Sequence, residues 1–238
     1  MADLKVFENY DDNKYYKRYK EKQEREAAWF WKNAQARHGN KLRIRPKNDM
    51  LWFWALLTWI LSPLKVDMLN GFTTTLFHTI WVPGDGKLWY SQTWTMFYIT
   101  LKHEIAHIDT AYFLLPDAQD MDVVEIGIVR RVLGWLHAIL VYPIAYVLLP
   151  FPCWFAYYRQ WVEYHGFKRQ IESSTSYRGG KVDPRVVTFI KRYFREWTYC
   201  KMATNKRADV LVERMVAEAR KKYDAHKLDD YLTFSDHY

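Results

Sequence analysis

Cysteine is nearly absent: Cys153 and Cys200 are the only two among 238 residues. They form neither a metal-ligand pair nor a disulfide framework, so a reducing compartment is expected. The opening residues, Met1 to Glu8, lack the apolar core of a secretory leader, and a cytoplasmic location is the matching expectation. Internal repeats and low-complexity stretches are missing as well, which argues against a solenoid or a compositional tail.

What is present is bulk. Half of the residues are apolar and 18% aromatic, with twelve tryptophans, which excludes disorder throughout. The length suits one domain with terminal extensions. A formal net charge of +8 collects mainly in Lys14 to Lys22 and in Arg185 to Lys222. Such charge favours nucleic acid, anionic lipid or an acidic polymer without choosing among them, and solvated helix faces account for it as well. No helix carries a recognisable nucleic-acid recognition motif.

Three segments are expected. Residues 1–48 read as a basic, polar helical extension, with its helix over 9–38. Residues 49–180 read as the core, and 181–238 as a basic helical segment packed on it. Within the core, Leu51 to Leu61 is intensely apolar and stopped by Ser62 and Pro63. About a dozen residues are too few to span a bilayer, so a buried helix is expected. Phe72 to Val82 is rich in β-branched and aromatic residues and ends in turn chemistry at Pro83 to Gly86, so it reads as a strand. A helix over 91–115 should follow, closed by Pro116. Another helix should run through Arg159, Glu163 and Ile171.

His103, Glu104 and His107 compose the pattern H-E-x-x-H inside the 91–115 helix. Histidines four apart leave the same helical face one turn from each other, and neutral imidazole nitrogen suits Zn²⁺. Glu104, next to the first histidine, can reach a water at the metal without ligating the metal. It is the expected catalytic residue, a general base that takes a proton as water attacks a carbonyl and returns it to the leaving amine. A catalytic zinc needs a third protein ligand and an open position. Thr110 and Phe113 stand where the metzincin continuation requires Gly and His, which removes that subclass. The gluzincin solution takes a glutamate from a later helix, leaving Glu125, Glu163 and Glu172, with Asp109, His137 and His165 as other donors. Asp109, Asp120 and Asp122 are available to hold a histidine's second nitrogen. Tyr164, Tyr177 and Tyr199 could donate to a developing oxyanion, Arg159 could orient Glu163, and His78 reads as structural.

The stretch from Leu148 to Ile171, with its L-P-x-P run, Arg159 and, four residues on, Glu163, resembles a block in uncharacterised zincin-like proteins of bacteria and phages. In those proteins an H-E-x-x-H helix comes first. Thr73 to Thr75, with Val82 and Pro83 closing the segment, looks like their upstream strand, along whose edge zincin peptidases lay extended substrate. The resemblance covers Phe72 to Ile171. It implies Glu163 as the third ligand beside His103 and His107. The chain departs by placing His165 and Gly166 where the pattern has another charged residue and Ala, which leaves His165 as a competing ligand or oxyanion-stabilising group.

Val132 to Phe155 holds 24 residues without a formal charge, enough for a membrane span. A single span would separate His103 and His107 from Glu163, so it conflicts with a His-His-Glu site. Pro143, Pro150 and Pro152 favour a bent, buried helix pair, with a membrane contact through 132–155 as the other option. The expectation is an α+β fold, a mainly helical zincin-like metallopeptidase domain with a small β-sheet. It would bind Zn²⁺ and hydrolyse a peptide or protein substrate. The rival is a non-catalytic, phage-type structural or host-interaction protein that keeps the fold, virion- or membrane-associated, with the basic helices on a lipid or nucleic-acid surface.

Overall fold

The structure, a computed structural model, describes residues 14–64, 67–87, 94–112, 128–148, 156–177, 180–196 and 202–233. The architecture is α+β: mainly helical, with one three-stranded sheet. The chain divides into two compact units, Met1–Ile139 and Leu140–Tyr238.

The first unit opens with α1 (Lys14–Arg37), whose Ala27, Phe30 and Ala34 recur at helical spacing and are fully buried. Gly39 and Asn40 end it in left-handed conformations, at φ 61° and 60°, where a residue without Cβ or with a short polar side chain is favoured. The Gln35 side chain then clasps Leu42, accepting from its amide at 3.0 Å and donating to its carbonyl at 2.8 Å. This sets the chain into β1 (Arg43–Pro46). A 3₁₀ turn at Lys47–Met50 leads into α2 (Leu51–Leu61).

The expected single strand over 72–82 is a hairpin instead. β2 (Thr74–Leu76) and β3 (Thr79–Val82) pair antiparallel, Thr75 opposite Ile80, around a turn at Phe77 and His78. Phe77 takes a positive φ of 54° there, which a continuous strand could not accommodate. β1 pairs parallel with β3, so the sheet order is β1-β3-β2. Trp54, Ile80 and Val82 are wholly buried, the Trp54 ring 5.7 Å from that of Trp81.

The expectation of a buried helix over 51–61 fails for most of α2. Only Trp54 and Leu57 are buried, while Trp52 and Trp59 are 69% and 73% exposed. Apart from Thr58 the helix is apolar, so the sequence defines no inner face.

α3 (Trp94–Ala111) is the opposite case: Leu101, Ile105, Ala106, Ile108 and Ala111 are all buried. α4 (Ile128–Leu136) crosses the end of α3 at Gly134, where a Cβ would lie 2.2 Å from the Tyr112 carbonyl oxygen. One turn later, the His137 ring nitrogen Nδ1 makes a 2.6 Å hydrogen bond with the carbonyl of Ala111. Two π-helical stretches follow, His137–Val141 and Pro143–Leu148. Pro143 supplies no amide donor, and regular α-geometry is not kept around it. Val132, Leu133, Trp135, Leu140 and Ile144 are exposed, so the described part of 132–155 is not the buried helix pair expected. Among the described residues no helix is long and apolar enough to cross a membrane.

The second unit holds α5 (Ala156–Tyr177), α6 (Pro184–Arg195) and α7 (Asn205–Thr233). They share one core, built from Phe167 and Ile171 of α5, Ile190 and Phe194 of α6, and Leu211, Val212 and Met215 of α7. Asp183 caps α6, its carboxylate accepting from the Arg185 amide at 2.9 Å, and Pro184 occupies the first helical position. Some basic side chains here are paired: Lys191 with Asp209 at 2.8 Å and Arg214 with Glu218 at 2.8 Å.

Candidate metal centre

Helical spacing alone puts His103 and His107 on one face of α3. Their rings stand 4.5 Å apart, centroid to centroid, and nearly perpendicular at 84°. Both are buried, as are Glu104, Asp109 and Thr110 on the same helix. Five polar residues within eight positions of a buried helix oppose the desolvation cost of such groups, so specific partners are required. For Glu104 one partner is Thr75, at the middle of β2: its hydroxyl donates to Glu104 Oε2 at 2.5 Å. The hydrogen bond holds the carboxylate of a helix to the strand against which that helix packs.

Glu163 lies on α5 and is 1% exposed. The Tyr193 hydroxyl of α6 donates to its Oε1 at 3.2 Å. His103, His107 and Glu163 make up a buried group that could hold a metal ion: each offers one ligand atom, and these atoms all lie within 4.8 Å of one another. Two imidazole nitrogens and one carboxylate oxygen fit the donor set of a zinc site with a position to spare. No family model, curated protein or solved structure matches the chain.

None of the other described candidate donors belongs to this group. Asp109 is held by α1, its carboxylate 2.8 Å from His38 Nε2 and 3.5 Å from the Arg37 guanidinium. His137 is engaged with Ala111, and His165 is half-buried against the rings of Trp161 and Tyr164. Glu172 meets Arg169 at 3.3 Å and Lys222 at 3.4 Å. Arg159 is half-buried one turn before Glu163. Tyr164 donates to Glu218 at 3.3 Å, and burial pushes its phenol up to about 12. Glu125, Asp120, Asp122 and Tyr199 lie outside the described residues, as does the side chain of Tyr177.

His78 sits in the β2–β3 turn, its Nδ1 sharing a 2.9 Å hydrogen bond with the Tyr112 hydroxyl. Burial, then the charge of His38 and of Lys41, hold it down to about 4, so it stays neutral at physiological pH. The structural reading of this histidine agrees with its surroundings.

Three residues that sequence reasoning did not assign stand close to this chemistry. Thr75 belongs to the Thr73–Thr75 run already noted, but nothing in the run says which hydroxyl meets Glu104. Tyr193 is one of eighteen tyrosines. Lys47 follows Pro46 at the start of the 3₁₀ turn, yet it is fully buried: Nζ donates to the Met68 and Phe72 carbonyls and to Thr74 Oγ1, the last at 3.0 Å. The Trp54 ring lies 4.5 Å from Nζ. Burial holds this lysine down to about 7, against the upward pull of Glu104 and Asp67.

Proposed function

We propose that this protein is a zinc-dependent hydrolase of peptide bonds on a zincin-like scaffold, with His103, His107 and Glu163 as metal ligands and Glu104 as general base. The observation that carries the reading is the approach of the three buried donor atoms, two of them from an H-E-x-x-H helix. A zinc ion bound there would supply Lewis acidity, lowering the pKa of a water molecule and polarising a carbonyl oxygen.

The chain's own part follows from its geometry. Glu104 accepts the proton of the attacking water and delivers it to the departing amine, so that water adds across the amide bond and both fragments leave neutral in sum. Thr75 restricts the carboxylate rotamers of Glu104 through its hydrogen bond to Oε2. Tyr193 does the same for Glu163 through Oε1. β2 pairs with β3 on one side and carries no described strand on the other, so its outer edge is the place for an extended peptide.

The test is zinc content by mass spectrometry, paired with hydrolysis of a broad peptide library. About one zinc per chain is expected in the wild type, and much less in His103→Ala, His107→Ala and Glu163→Ala. Glu104→Gln should keep the zinc and lower hydrolysis by about 10²–10⁴-fold. A wild type that binds no zinc when purified without chelator overturns the reading. Zinc retained without hydrolysis moves the protein to a non-catalytic role on the same scaffold.

A further inference from the structure

The surface of α2 departs furthest from what water permits. Its exposed side chains are Leu51, Trp52, Ala55, Leu56, Trp59 and Ile60, a stripe at i, i+1, i+4, i+5, i+8 and i+9. A helix on a soluble domain normally turns charged residues outward, and this one has none to turn. Contiguous exposed apolar patches of this kind mark an interaction site.

We propose that α2 is a membrane-interface helix, lying in the plane of an anionic bilayer with Trp52 and Trp59 as its anchors. Eleven residues reach about 16 Å, too short for a core of about 30 Å but long enough to lie along it. Tryptophan at both ends of the stripe matches the depth where an amphipathic ring meets headgroups. The stripe is the convex side of a helix, which fits a fluid interface without a preformed groove.

Charge selects the lipid. The segment that feeds α2 exposes Lys41, Arg43 and Arg45, and Asp49 is the single carboxylate between Lys41 and Leu61. Arg43 and Arg45 share one face of β1 by the strand's two-residue period. Cations beside an uncharged apolar helix are the arrangement that binds negatively charged headgroups. In the same unit α4 repeats the exposure with Leu133 and Trp135, which would add a second contact.

The experiment is co-sedimentation of the full chain with phosphatidylcholine vesicles, with and without phosphatidylserine. The wild type should pellet with the phosphatidylserine vesicles. Trp52→Ser/Trp59→Ser should bind about tenfold more weakly, and Arg43→Gln/Arg45→Gln should lose the preference for the anionic lipid. Thermal unfolding followed by circular dichroism checks that each variant is folded. Quenching of wild-type tryptophan fluorescence by brominated phospholipid tests insertion without any substitution. A wild type left in the supernatant overturns the proposal, as does undiminished binding by the tryptophan variant. A wild-type dimer that the tryptophan variant dissociates, without vesicle binding, assigns the stripe to a second copy and overturns it too. Zinc content does not enter these readouts, so this result stands apart from that of the metal site.

Discussion

α2 and α3 reverse the usual relation between composition and position. α2 has no charged residue and only one hydroxyl, Thr58, yet most of its surface faces outward. α3 carries His103, Glu104, His107, Asp109 and Thr110 and is buried around all five. Burial is decided by what surrounds a helix rather than by its own hydropathy. α3 lies against α1, β2 and the crossing point at Gly134, and its polar groups are tolerated because Thr75, His38 and Arg37 meet them. Polar burial of this kind carries a stability cost that packing alone does not require, and such costs concentrate at functional sites.

The contrast can be broken most forcefully at Asp109. Asp109→Ala would leave the Arg37 guanidinium and His38 facing a buried gap, and a loss of about 3–5 kcal/mol is expected by denaturant titration. A loss below ~1 kcal/mol would mean that water reaches this cluster and that α3 is less enclosed than its burial indicates.

Gly134→Ala comes next. The added methyl would meet the Tyr112 carbonyl, a backbone atom that cannot rotate away, so a loss of about 1–3 kcal/mol is expected. The same substitution should weaken zinc binding if the position of α4 matters for α3, and metal content read alongside stability separates the two effects.

Lys47 tests the inner face of α2. Its amine titrates near 7 in the folded protein and near 10.5 when unfolded. Between those values the unfolded chain holds a proton that the folded chain has released, so stability from this group rises with pH across the window. Below pH 7 both states are protonated and the full cost of burying the cation is felt. Lys47→Met should flatten the rise between pH 7 and 10 in a series of urea titrations. An unchanged slope would place the origin of the pH dependence elsewhere.

The smallest effect belongs to the outer face. Trp52→Ser/Trp59→Ser should change stability by about 0.5 kcal/mol or less, whereas Trp54→Ala on the inner face should cost about 3–5 kcal/mol. Similar costs on both faces would show that α2 is covered in solution.

Much of the secondary structure was legible in the residues. The helix expected over 91–115 is Trp94–Ala111, and that expected over 9–38 is Lys14–Arg37. The Asp183–Pro184 start of α6 is a local cap that any context would keep. Where the reading failed, the missing information was nonlocal. A run from Phe72 to Val82 with uniform β-propensity does not reveal the turn at Phe77 and His78, because a hairpin depends on which register the strands find. An all-apolar segment such as Leu51 to Leu61 gives no periodic signal for its inner face, so its exposure could not be foreseen.

By itself the sequence determined the pairing of His103 with His107 and the adjacency of Glu104, since the period of an α-helix needs nothing beyond the helix. A metal that takes imidazole ligands is the expectation this pairing raises. Only the tertiary structure, among the described residues, groups Glu163 with the two histidines as donors that could hold a metal ion. It also decided that Thr75 holds Glu104, that Lys47 is buried and that α2 is not. The physical reason is separation: a hydrogen bond or ligand atom from a distant element depends on how the chain folds back, and local spacing carries no record of that.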